Sequence, residues 1–98
     1  MIYTREQWAN DRTFNASPGQ EIEEDIYNYM FNCMPIIDLT KEAITKASEY
    51  GLNITAGFLM GEPHDCDKDG MTYLAFGEAR NNDELRYYYL GLSHARRR

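Results

Sequence analysis

The chain is predicted to fold as an α+β domain: two or three N-terminal helices packed on a three-stranded antiparallel β-meander. Two observations lead there. Up to Gly51 apolar residues recur at helical spacing, while beyond it they form mixed or alternating runs rich in β-branched and aromatic residues. Turn-forming residues also cut the second half into segments of strand length. Ninety-eight residues suffice for one domain with a single core, assigned to residues 1–95, with 96–98 as a basic C-terminal tail. Apolar residues at 43% and aromatics at 13% supply that core.

The helices are marked by their punctuation. Thr4 is placed to cap a short turn over Thr4–Asn10. Ser17, Pro18 and Gln20 read as the cap, first position and capping-box partner of the best-marked helix. Ile22, Ile26, Tyr29, Met30 and Cys33 give it an apolar face, and Pro35 ends it. The acids Glu21, Glu23, Glu24 and Asp25 crowd its first turns, where the positive end of the helix dipole favours them. A further helix is capped by Asp38 or Thr40, carries Leu39, Ala43, Ala47 and Tyr50 on its inner stripe with Ile44 beside it, and stops at Gly51.

Asn53–Met60 and Met71–Ala79 read as strands, the latter with Met71, Tyr73 and Ala75 opposed to Thr72, Leu74 and Phe76. Arg80–Glu84 is a polar turn. Leu85–Ser93 fits either a strand or a helical stripe; three consecutive tyrosines favour the strand, with Tyr87 and Tyr89 on one face and Tyr88 on the other.

Between the first two strands lies the segment with the clearest chemical pattern, Asp65-Cys66-Asp67-Lys68-Asp69-Gly70. Carboxylates at alternate positions closed by glycine match the opening of a calcium loop, so Asp65, Asp67 and Asp69 are candidate ligands for Ca. The twelfth position, however, is Phe76 where a bidentate Glu belongs. Asp67-Lys68-Asp69-Gly70 equally suits a tight hairpin turn, which places Gly61–Gly70 as an acidic, exposed tip. A Zn site is the alternative, using His64, Cys66, Cys33 and His94, without any compact ligand spacing among them.

Net charge is −6, and residues 1–95 hold sixteen acids against seven bases, a net of −9. That balance argues against direct nucleic-acid binding, since phosphate is held by Lys and Arg. It favours a basic surface on a larger protein as partner, with Glu21, Glu23, Glu24, Asp25 and Asp65, Asp67, Asp69 as contact patches. No apolar run is long enough to span a membrane and the N-terminus lacks the pattern of a signal peptide, so a cytoplasmic, intracellular protein with reduced cysteines is expected. No GxSxG, P-loop, GxGxxG or HExxH pattern occurs, and no catalytic residue is assigned.

In size, charge and lack of catalytic motif the chain resembles small phage-borne inhibitors of the anti-CRISPR type, which block nuclease complexes, some of them by mimicking DNA. The resemblance is one of profile and aligns no residue. It implies an inhibitor that occupies the nucleic-acid-binding surface of a larger protein.

Overall fold

The computed structural model describes residues 1–11, 13–32, 36–67 and 70–95. Three helices, α1 (Arg5–Asp11), α2 (Glu24–Phe31) and α3 (Lys41–Glu49), accompany five strands, β1 (Glu21–Ile22), β2 (Ile36–Asp38), β3 (Ile54–Asp67), β4 (Gly70–Asn81) and β5 (Glu84–Ala95). The sheet order is β1-β5-β4-β3-β2, every named pair antiparallel. The expected three-stranded meander is its centre, β3-β4-β5. The flanking strands β1 and β2, of two and three residues, are too short to show alternation, so their sequences fit a helix or its connection equally well.

The helix expected from Ser17 instead begins at Glu24. Ser17 and Gln20 form half of a capping box, the Ser17 N–H donating to Gln20 Oε1 at 2.8 Å, but the Gln20 N–H returns to the Ser17 backbone carbonyl at 2.9 Å and closes a turn. Gly19 sits at φ 85°, a left-handed conformation that no helix interior holds. The backbone then pairs with β5: the Gly19 N–H donates to the Tyr89 carbonyl at 2.7 Å, and Ile22 pairs with Tyr87. Strand pairing of Gly19–Ile22 thus overrides a local helix start. Tyr3 joins from the other side by a parallel bridge to Ile22.

The caps expected at Thr4 and Thr40 form, whereas Tyr29, expected on the apolar face, is 50% exposed. The Gln7 N–H donates to Thr4 Oγ1 at 3.1 Å and the Thr4 N–H to Gln7 Oε1 at 3.3 Å, a reciprocal capping box for α1. Thr40, rather than Asp38, caps α3 by accepting from the Ala43 N–H at 3.2 Å, and Gly51 follows at φ 80°. Tyr50, expected inside, is 44% exposed and lies against Gly19.

The helices do not share one side of the sheet. Phe58, Met60, Phe76 and Tyr89 pack with Tyr3, Ile22, Ile26, Tyr27 and Met30 in one cluster, which α1 and α2 cover together with Trp8 and Phe14. Leu59, Tyr73, Ala75 and Leu90 meet Ala43 and Ala47 of α3 in a second. Alternation along β3, β4 and β5 feeds both clusters, as a sheet buried on two faces requires. One face is aromatic: Phe14 meets Tyr3, Phe76 and Tyr89 edge-on at centroid distances of 5.2, 5.6 and 5.1 Å. The other meets α3 through the small side chains of Ala43 and Ala47.

Leu90 shares the α3 face with Tyr88 by ordinary alternation, and β5 bulges there: Ala75 pairs with Gly91 and Phe76 with Tyr89, leaving Leu90 as the extra residue and Gly91 at φ 95°. The strand reading of 85–93 is thereby met, with Tyr87 and Tyr89 toward the aromatic cluster and Tyr88 toward α3.

Candidate functional site: an acidic groove at the sheet edge

The four acids grouped by the sequence come to one place, though not as one helix face. Glu21 lies on β1, Glu23 is the residue preceding α2, and Glu24 and Asp25 open its first turn. With Ile2, Ile22, Leu85, Arg86 and Tyr87 they line an open groove of about 430 Å³. Glu23, Glu24 and Asp25 are exposed, and Ile2 is 41% exposed beside them.

Each carboxylate has a different standing. Glu21 Oε1 takes the Arg86 guanidinium at 3.2 Å, and the other arm of Arg86 holds Glu84 at 2.8 Å. Glu23 Oε1 accepts the Arg5 backbone N–H at 2.8 Å, satisfying a free donor at the start of α1 and tying α1 to α2. Glu24 accepts from the Tyr87 phenol, whose pKa is raised by burial, by the charges of Glu24 and Glu78, and by that bond. Among the described residues, Asp25 makes no ion pair or hydrogen bond through its carboxylate. Four negative charges against one guanidinium leave the groove anionic, only partly offset by the N-terminal dipole of α2. Its walls are apolar through Ile2, Ile22, Leu85 and the Tyr87 ring. A cation carried on an aliphatic stem fits both properties.

Strand pairing separates this groove from the aspartate cluster. Tyr87 pairs with Glu78 in β4, whereas Cys66 and Ala95 both pair with Met71, eight residues further along β5. At about 3.3 Å per residue the two acidic regions stand roughly 25 Å apart, and they do not form one contact patch. The hairpin tip is tighter than expected: the strands run to Asp67 and from Gly70, which pair with each other. Lys68 and Asp69 lie outside the described residues, as do Cys33, Pro35 and the 96–98 tail. Asp65, His64, Cys66, Asp67 and His94 are placed by backbone alone, with Cys66 opposite Met71 and His94 opposite Thr72, two strands away from each other. Among the residues whose side chains are described, no group of three or more His, Cys, Asp or Glu is arranged to hold a metal ion. Among the described residues, no helix is long and apolar enough to cross a membrane.

Leu85, Arg86 and Tyr87 were missed because they join the acids only through the β1–β5 pairing, more than sixty positions away in sequence. The alternation that sets Leu85 and Tyr87 on one face was the available signal. Comparison with protein-family models, with curated proteins and with solved structures finds no match.

Proposed function

We propose that the protein is a small interaction module that binds a basic segment of a larger protein in the groove formed by Glu21, Glu23, Glu24 and Asp25. The observation that carries this reading is the convergence of these four carboxylates with Ile2, Leu85 and Tyr87 in one open groove. A lysine or arginine entering it meets Glu24 and Asp25 with its charge and the Leu85 and Tyr87 side chains with its stem. Net charge of −6 steers such an encounter and repels polyanions. An inhibitor that covers the nucleic-acid-binding surface of its partner, in the manner of a DNA mimic, is the use these features suit best.

The test is binding of a fluorescent, end-capped peptide of leucine and lysine, followed by anisotropy. Reversal of Glu24 and Asp25 to Lys is expected to weaken binding by about tenfold or more, equivalent to 1.4 kcal/mol. Glu23 is spared because its carboxylate holds α1. The charge-matched control reverses Glu42 and Glu49, exposed on α3 across the sheet, and is expected to bind nearly as the parent does. Equal losses in both variants would reduce the effect to net charge and overturn the groove.

A further inference from the structure

Beside the groove, on the far side of the Arg5–Glu23 contact, lies a second concavity of about 300 Å³ lined by Arg5, Trp8 and Ala9 of α1 and Tyr29 of α2. Trp8 and Tyr29 meet edge to face, 5.3 Å between centroids at 78°. The Arg5 guanidinium carbon stands 5.4 Å from the Trp8 centroid and 5.2 Å from that of Tyr29, within cation–π range of both. Tyr29 is 50% exposed and Trp8 half-buried, so two rings border an open notch. The two rings are nearly perpendicular, so the guanidinium can lie parallel to at most one of them, and its N–H groups, which lie in its own plane, remain for an acceptor. Among the described residues Arg5 forms no ion pair, in a chain where acids outnumber bases sixteen to ten.

We propose that this notch is a binding site for a carboxylate side chain of a peptide segment, received by the Arg5 guanidinium beside Trp8 and Tyr29, with an adjoining apolar residue laid on the rings. Charge complementarity selects the occupant. An exposed cation held by two rings calls for an anion, and a planar carboxylate matches the paired donors of a guanidinium. A polyanion such as nucleic acid is disfavoured, because the neighbouring groove presents Glu21, Glu23, Glu24 and Asp25 to its remaining charges. A single carboxylate on a peptide pays no such cost. The site goes beyond the groove: with both filled, the partner segment carries an acid and a base side by side, in the order set by the Arg5–Glu23 contact.

Trp8 is the only tryptophan in the chain, so all tryptophan emission comes from a ring that borders this notch. The experiment titrates the intact protein with acetyl-Leu-Asp-amide and, separately, with acetyl-Leu-Asn-amide. The expected result is a saturable change in Trp8 emission with the Asp peptide, at a Kd on the order of 1 mM. The Asn peptide should bind about tenfold more weakly, as loss of a charge-assisted hydrogen bond implies. R5Q, its fold checked by far-UV circular dichroism, is expected to abolish the preference for Asp over Asn. Equal responses to the two peptides, no saturable response to either, or an R5Q protein that keeps the preference would overturn the proposal. The first two outcomes need no variant, so a misfolded R5Q leaves the proposal open to refutation. These peptides carry no cation and the lysine peptide carries no carboxylate, so the notch and the groove fail or succeed independently.

Discussion

Gly57 and Gly77 face each other across β3 and β4 beneath α3, and replacing each by alanine should have different consequences. A Cβ at position 57 would stand 2.3 Å from the Phe76 carbonyl oxygen, 2.9 Å from Gly77 Cα and 2.9 Å from Leu39 Cδ2. Two of these atoms are backbone of the neighbouring strand. Since carbon–oxygen contacts settle at about 3.3 Å or more, the strands must part locally by roughly 1 Å. Overpacking of this kind costs about 1–3 kcal/mol, and loosening one ladder hydrogen bond adds about 1. Relief of the glycine entropy returns about 0.5–1, for a net loss of about 1–3.5 kcal/mol in G57A, centred near 2.

A Cβ at position 77 meets only side-chain ends, Ile54 Cγ2 at 2.8 Å, Leu90 Cδ1 at 3.0 Å and Ile54 Cδ1 at 3.2 Å. These can rotate away, and the same entropy term offsets most of the cost, so G77A should lose no more than about 1 kcal/mol. Urea denaturation followed through Trp8 fluorescence gives the two values directly. At about 4–8 °C per kcal/mol, a central difference of about 1.5 kcal/mol should separate the thermal melts of the variants by roughly 6–12 °C. Equal destabilisation, or a larger loss in G77A, would refute the reasoning that rigid backbone, rather than crowding in general, makes position 57 intolerant.

Further expectations follow from the caps, the phenols and the groove. T40A removes the acceptor of the Ala43 N–H and should cost about 1 kcal/mol, read as a drop in Tm of about 4–8 °C. Tyr3, Tyr27, Tyr87, Tyr88 and Tyr89 all have pKa values raised above the ordinary 10.0, burial being the largest cause for each. Stability from these groups is complete below pH 10.0 and falls above it, because the unfolded chain ionises where the folded chain keeps its protons. Urea melts should therefore be insensitive to these phenols below that value and weaken above it, with Y27F removing about 1.4 kcal/mol per pH unit of the slope; an unchanged slope in Y27F would contradict this. R86Q frees Glu21 and makes the groove more negative, so the lysine peptide should bind more tightly while Tm changes little. Weaker binding would show that Arg86 shapes the groove instead of competing for it.

The long elements could be read from the chain because each carries its own periodicity. Thr40 with Ala43, Ala47 and Gly51 specifies α3 locally, and the alternation of Tyr73 to Phe76 and of Tyr87 to Tyr89 specifies both buried faces of the sheet. What escaped was non-local. Ser17-Pro18-Gly19-Gln20 carries a sound helix start, yet the pairing of Glu21 with Tyr88 and Ile22 with Tyr87 draws that segment into the sheet. The acids at 21–25 were recognised as a group from charge alone. Their apolar walls were not, because Leu85 and Tyr87 arrive through that same pairing. Arg5 and Trp8 stand three apart on α1 and so share a face, but no spacing links them to Tyr29, which arrives only through the packing of α1 against α2.

The groove is tested most directly by an amide NMR titration of the intact protein with the end-capped lysine peptide. Saturable shifts are expected at residue 2, at residues 21–25 and at residues 85–87, fading as salt screens the charges. Shifts distributed over the exposed acids of α3 as strongly as over the groove, or none at all, would contradict a built site for a basic chain.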